Sequence, residues 1–199
     1  MNASPISNAL SVVIPVFNNQ DSLRPLFARL NIVLKSLDIR YEVIFVNDCS
    51  LDESWKTIQC LSGEFECIRS LNLKKNKGQN LAILEGFKLS IGDLILVMDS
   101  DLQDQPEVII DLFSSIRYGC AADTIFVKRI GNYQSNKRML GSRLFKSFLQ
   151  IVTGLNRKAG TYFITKRTVI NSVINLTDWF EYSCKSGLQR TRYNCIRIF

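Results

Sequence analysis

Aliphatic runs of strand length alternate with segments of helical period along the first two-thirds of the chain, and this alternation constrains the fold most. Leu10–Phe17 (LSVVIPVF) is almost continuously apolar, as a strand covered on both faces must be. Asp21–Leu37 places Leu23, Leu26, Phe27, Leu30, Val33, Leu34 and Leu37 at three- and four-residue steps, the stripe of an amphipathic helix. The pattern then repeats. Strands are predicted at Tyr41–Val46, Cys67–Leu71, Asp93–Met98 and Thr124–Val127. Helices are predicted at Asp52–Leu61, with Asp52 as N-cap, at Gln79–Leu89, and at Pro106–Tyr118, with proline in the first turn. Strands alternating with helices predict a three-layer α/β/α sandwich around a mostly parallel sheet.

Beyond this region, Ser135–Val152 sets Met139, Leu140, Leu144, Phe145, Phe148, Leu149 and Val152 at helical steps, among Lys137, Arg138, Arg143 and Lys146. Such a basic amphipathic helix either faces a core and solvates its basic side, or docks on an anionic membrane surface. Tyr162–Thr165 reads as a short strand and Arg167–Ile174 as a short helix; from Asp178 onward no period is visible. Charge is segregated in the same way. Residues 1–123 carry 11 basic and 16 acidic side chains, whereas residues 124–177 carry 10 basic and no acidic ones, within a net charge of +7. An acid-free stretch of this length points to an anionic partner: phosphate, nucleic acid or a lipid headgroup. Nucleic acid fits least, because few aromatics are spaced for stacking and the polar turns described next are acidic.

Composition removes several chemistries. The chain of 199 residues contains no histidine, so Ser-His-Asp and Cys-His machinery and the usual catalytic zinc sites are excluded. Acid–base or metal chemistry must come from carboxylates, Lys, Tyr or Cys. The six cysteines (Cys49, Cys60, Cys67, Cys120, Cys184, Cys195) form no CxxC pair and are expected as reduced, mostly buried thiols. There is no GxGxxG after the first strand and no GxxxxGK[ST], which disfavours dinucleotide oxidoreductases and P-loop NTPases. No run approaches the ~18 apolar residues of a membrane span, and Met1–Leu10 lacks the marks of a signal peptide. These features predict a cytosolic chain.

Ligands of open α/β sheets sit beyond the carboxyl ends of the strands, and four successive strand ends here are polar. They carry Asn18-Asn19-Gln20, then Asn47, Asp48, Ser50 and Asp52, then Lys74-Lys75-Asn76-Lys77-Gly78, then Asp99, Asp101, Gln103 and Asp104. Asp99-Ser100-Asp101 offers two carboxylates just past an aliphatic strand. Together they suit a hard cation such as Mg²⁺ or Mn²⁺ bridging a diphosphate. A DxD alone is a weak signal, since turn and cap carboxylates give the same pattern; its delivery to an edge shared with three other polar turns strengthens it. Asp48 and Asp52 read as turn and cap residues or as acceptors for a base or ribose. Lys77-Gly78 reads as a phosphate contact at a helix N-terminus or as a solvated basic turn.

These residues also carry a resemblance. VVIPVFNN (12–19), EVIFVNDCSLDES (42–54), NKGQNLAILEGF (76–87) and GDLILVMDSDLQDQPEVI (92–109) resemble, in order, the motifs of family 2 glycosyltransferases with the GT-A fold. The similarity is to the branch of dolichyl-phosphate mannose synthase and the bacterial polyprenyl-phosphate glycosyltransferases, over about residues 10–175. The resemblance implies a Rossmann-like GT-A sandwich and a nucleotide-diphosphate sugar donor. It also implies a polyprenyl phosphate acceptor at the cytoplasmic membrane face, and Mg²⁺ or Mn²⁺ as cofactor. It places Pro15, Phe17 and Asn19 in the nucleotide pocket, with Asn19 where the family has Glu. It gives Asp48 the base or ribose, beside Asn47 in place of a common Asp. Asp99 and Asp101 are implied to hold metal and diphosphate with Gln103 as a further ligand, and Arg129 to face the phosphates. Arg138 and Arg143 fall in the stretch that meets lipid phosphate and membrane. Thr161, in Gly160-Thr161-Tyr162, replaces an Asp that is a catalytic candidate in this branch. Many relatives continue into C-terminal membrane helices.

The resulting expectation is a GT-A domain over 1–175 with a C-terminal tail over 176–199, active on a polyprenyl phosphate while peripheral to the membrane. Transfer to a glycan or soluble acceptor, or a catalytically impaired nucleotide-sugar-binding domain, are the alternatives. UDP, GDP and dTDP all stay open as the nucleotide, with UDP favoured only by its frequency in the family that the chain resembles.

Overall fold

The structure is a computed structural model that describes residues 9–119, 122–127 and 161–185. Six strands form one sheet: β1 (Ala9–Val16), β2 (Arg40–Asn47), β3 (Ile68–Asn72), β4 (Leu94–Val97), β5 (Thr124–Phe126) and β6 (Phe163–Lys166). Their spatial order is β3-β2-β1-β4-β6-β5. β1, β2, β3 and β4 run parallel, while β6 lies antiparallel to β4 and β5 antiparallel to β6. The sheet is therefore mostly parallel, with an antiparallel edge pair. In register, Pro15 lies beside Val46, and Leu10 and Val13 of β1 face Leu94 and Val97 of β4.

The period-two geometry of a strand sorts these apolar runs between two helical layers. Leu10, Val12, Ile14 and Val16, with Val43, Phe45, Leu94 and Leu96, pack against α1 (Gln20–Ser36), α2 (Ser54–Glu64) and α4 (Val108–Ser114). Val13, Ile44, Val46, Ile95, Val97 and Phe163 pack instead against α3 (Gln79–Leu89) and α5 (Arg167–Lys185). Both faces are covered, which explains why the strands read as unbroken aliphatic segments.

Several boundaries differ from the sequence expectation. Phe17 lies past the end of β1, and α2 begins at Ser54, two residues late, with Glu53 at the N-cap position. Asp52 still satisfies a helix-end donor, because its Oδ1 accepts the Ser54 N–H at 3.0 Å. Pro106 sits in a turn ahead of α4, and the helix passes into a π-helical turn over Ser115–Gly119. α5 continues to Lys185, well past Ile174 and across the 175/176 division. Of the cysteines whose side chains are described, Cys60 is exposed and Cys49 and Cys67 half-buried, all as free thiols; the expected burial does not hold for them. The predicted helix at 135–152 lies outside the described residues.

At the amino ends of the strands a buried polar cluster ties the layers together. Glu42, 8 % exposed, accepts the Ser11 hydroxyl at 2.6 Å and the Ile91 N–H at 2.7 Å and pairs with Arg69 at 3.0 Å. Arg167, the first residue of α5, donates to the Gly92 carbonyl at 2.8 Å and to the Ser90 hydroxyl at 2.9 Å. Every charge in the cluster finds a partner, as its depth demands.

Candidate functional site

At the carboxyl ends of the strands the turns after β1, β2 and β4 all contain a residue in the left-handed region: Asn18 (φ 54°), Cys49 (φ 58°) and Leu102 (φ 64°). Asparagine tolerates this backbone, whereas cysteine and leucine pay for it, and such strain persists only where surrounding structure enforces it. Hydrogen bonds supply the enforcement at the first turn. The Asn18 N–H donates to Ser50 Oγ at 3.0 Å and its Oδ1 accepts the Leu51 N–H at 2.8 Å. The Asn19 N–H donates to Ser54 Oγ at 3.0 Å. Asp52 receives the Gln20 N–H on Oδ2 at 3.1 Å. Burial raises the Asp52 carboxyl, but hydrogen bonds from Ser54 and Gln20 together outweigh it and hold it below the ordinary carboxylate range.

Asn19 reaches the fourth strand end as well. Its Nδ2 donates to Ser100 Oγ at 2.6 Å, and the Ser22 hydroxyl donates to the Ser100 carbonyl. Pro15 is buried at the base of this turn and Phe17 is half-buried above it.

Asp48 is 2 % exposed. Its Oδ1 accepts the Lys77 N–H and its Oδ2 the Gly78 N–H, each at 2.7 Å. Gly78 has φ 88°, a conformation that glycine adopts without penalty. The two N–H groups expected to meet a phosphate thus already serve an internal anion, the Asp48 carboxylate. The Lys77 ammonium pairs with Glu85 at 3.0 Å. Beside Asp48, the Asn47 amide donates to Asn72 Oδ1 at 2.7 Å and its Oδ1 accepts the Ser50 hydroxyl. An amide at position 47 both donates and accepts, which an Asp could not do.

Asp99 follows β4 and is half-buried. Gln79 Nε2, at the start of α3, donates to its Oδ1 at 2.6 Å. The Thr161 hydroxyl lies 2.9 Å from both carboxylate oxygens. The Asp99 N–H donates to Asp104 Oδ2 at 2.8 Å, and Asp104 is 2 % exposed. Asp101 is exposed, and its Oδ1 accepts the Gln103 N–H at 3.0 Å. The neighbouring Tyr162 hydroxyl donates to the Gln105 carbonyl at 2.8 Å, and burial pushes its pKa well up.

The structure therefore joins the turn bearing Asp99 to Asn19, through Ser100, and to Gln79 and Thr161. It groups Asp48 with Lys77 and Gly78. Arg129, Arg138 and Arg143 lie outside the described residues. Gln79, Ser54 and Ser100 escaped the sequence reading: each is an ordinary polar residue near a helix start or strand end, and its partner is distant in sequence. Gln79 lies within the segment 76–87, but nothing local marks it.

Among the described residues no three His, Cys, Asp or Glu side chains converge to hold a metal ion unaided. Asp99 and Asp101 nevertheless present hard carboxylate oxygens in the same turn, and Gln103 adds an amide oxygen. That donor set fits Mg²⁺ or Mn²⁺, which take one or two carboxylates and complete their shell with phosphate oxygens and water.

Comparison with known proteins gives the family of the chain. Residues 11–191 match the family model for glycosyl transferase family 2. The dolichol-phosphate mannosyltransferase of Pyrococcus furiosus is 39% identical over 110 residues, covering 55% of this chain and 30% of that protein. The undecaprenyl-phosphate 4-deoxy-4-formamido-L-arabinose transferase of Yersinia enterocolitica is 37% identical over 155 residues, covering 77% of this chain and 47% of the relative. The chain thus spans about half the length, or less, of the curated relatives it matches. Among solved structures, glucosyl-3-phosphoglycerate synthase from Mycobacterium tuberculosis, in complex with Mn²⁺, UDP and glucosyl-3-phosphoglycerate, superposes with a TM-score of 0.54 at 16% identity. It covers 81% of this chain and 57% of that one, a likeness of fold. The parallel sheet with its polar carboxyl edge, and a family match that spans nearly the whole chain, make this protein a member of glycosyl transferase family 2, similar to its polyprenyl-phosphate transferases.

Proposed function

We propose that this chain transfers a sugar from a nucleotide-diphosphate sugar to a polyprenyl phosphate of the undecaprenyl type, assisted by Mg²⁺ or Mn²⁺. In this reading it works peripherally at the cytoplasmic face of a membrane. One observation carries the reading: the turn bearing Asp99 and Asp101 is bonded to the turn after β1, to the start of α3 and to Thr161, at the sheet edge where this architecture takes its ligands. The relatives named above support the acceptor class, and no helix among the described residues is long and apolar enough to cross a membrane.

In this proposal Pro15, Phe17 and Asn19 line the nucleotide pocket. Asp48 fixes the loop of Lys77 and Gly78 around it and offers its remaining acceptor capacity to the base or ribose. Asp99, Asp101 and Gln103 hold the cation, which when bound neutralises charge developing on the departing diphosphate. Arg129 faces the phosphates, and Arg138 and Arg143 meet the lipid phosphate. Thr161 cannot act as a carboxylate base. A phosphate monoester is already ionised at neutral pH and can attack the anomeric carbon directly, so the chain's task is to align acceptor and donor. In-line attack inverts the sugar.

Donor turnover against a short polyprenyl phosphate, followed by mass spectrometry with a panel of UDP-, GDP- and dTDP-sugars, tests the proposal. Chelation by EDTA or Asp101→Ala is expected to lower kcat by about 100-fold or more. Undiminished turnover under either condition would sink the metal-assisted mechanism.

A further inference from the structure

Two side chains far from Asp99 in sequence converge on its carboxylate. Gln79 stands 20 residues away and Thr161 stands 62. Gln79 comes from the first residue of α3, and Thr161 from the approach to β6. The main chain of Asp99 is fixed from a third direction by buried Asp104. The Thr161 hydroxyl is equidistant, at 2.9 Å, from both carboxylate oxygens, and the Gln79 amide lies at 2.6 Å from one of them. Rotation of the carboxylate about its terminal bond would break the Gln79 bond to Oδ1, while the single Thr161 hydroxyl proton, shared between the two oxygens, holds the group in place as a whole. Both contacts are charge-assisted. An acid at position 161 would set a second negative charge against Asp99; a threonine there supplies a proton instead.

From this geometry we propose that Thr161 and Gln79 are positioning residues that hold the Asp99 carboxylate in one orientation for the cation. Position 161 in this chain thereby serves metal binding rather than acid–base chemistry. The inference rests on the metal-assisted reading above. It differs from a purely structural role, in which the same contacts would only anchor β6 beside β4. Anchoring would affect stability and all ligands alike, whereas positioning affects the cation selectively.

The test is calorimetric titration of Mn²⁺ into protein saturated with UDP or GDP, beside nucleotide titration in EDTA. Thr161→Val removes the hydroxyl and keeps the shape. It is expected to weaken Mn²⁺ about tenfold while leaving metal-free nucleotide affinity unchanged. Thr161→Ser restores the donor and is expected to bind Mn²⁺ within about twofold of the wild type. Gln79→Met keeps the length of an exposed side chain without its donor, and is expected to weaken Mn²⁺ by about three- to tenfold. With both donors removed, the losses are expected to be non-additive, as for two donors gripping one group. Wild-type Mn²⁺ affinity in Thr161→Val, or in Gln79→Met should the valine variant not fold, overturns this proposal and leaves the transferase reading standing. A wild type that binds no Mn²⁺ with either nucleotide overturns the metal-assisted reading and this proposal together.

Discussion

A carboxylate at 2 % exposure survives only if its charge is met, and at Asp48 two peptide N–H groups meet it at 2.7 Å each. The sequence placed this acid correctly at a strand end but could not show that its partners come from the turn 29 and 30 residues on. Asp48→Asn preserves the shape and one acceptor, but points an amide NH₂ at one of the two donors. It is expected to destabilise the ligand-free protein by about 1–3 kcal/mol. Urea unfolding without nucleotide measures this, and so separates the structural duty of Asp48 from any part in nucleotide binding. An unchanged midpoint would mean that the β3–α3 loop is held by something else. Thr161 shows the same limit of local reading. From sequence it is a missing acid; only the position of β6 beside β4 makes it a donor to Asp99.

At the scale of elements, packing decides what glycine is for. Gly86 lies in the middle of α3, where an added Cβ would fall 2.4 Å from Val13 Cγ1 and 3.2 Å from Val46 Cγ2. The glycine lets α3 seat directly on β1 and β2, and so sets how Gln79 at its start reaches the site. Gly63 lies in α2 with nothing within 4 Å of its added Cβ. Alanine gains up to about 1 kcal/mol over glycine in a helix interior, while forced overpacking costs about 1–3 kcal/mol. Gly63→Ala is therefore expected to raise the melting temperature and Gly86→Ala to lower it, compared by thermal unfolding. The same sign for both would show that α3 has room to shift. Helical periodicity located α1 to within a residue, because its apolar stripe faces a continuous sheet; α3 was placed as closely, although Leu81, expected near its inner face, is exposed. It ended α5 early, at Ile174, although Leu176 and Phe180 continue the three- and four-residue apolar steps from Val173, and the helix runs to Lys185.

For the whole molecule, the relevant asymmetry is electrical. The acidic strand ends lie within residues 1–123, where 16 acidic side chains outnumber 11 basic ones, and the acid-free stretch from 124 to 177 carries ten basic side chains. If that stretch meets a lipid surface, the attraction has the range of a Debye length, about 8 Å at physiological salt. Co-sedimentation with phosphatidylglycerol vesicles is expected at low salt and lost by about 0.5 M salt. Phosphatidylcholine vesicles should not bind. Absent or salt-insensitive binding would remove the electrostatic basis for a peripheral membrane role.

Sequence by itself determined the layered α/β plan, the parallel core strands and the edge on which the polar turns gather. Those follow from local periodicity, since strands covered on both faces must be aliphatic throughout and the helices between them must carry one apolar stripe. It also singled out Asp48, Asp99 and Asp101, because acids directly after such strands have few places to go. Tertiary structure alone decided which donors each acid receives: Lys77 and Gly78 for Asp48, Gln79 and Thr161 for Asp99. It also decided that the last two strands turn antiparallel. These are choices among polar groups of similar local character, and strand order with its crossovers, which no short window of sequence encodes, selects between them.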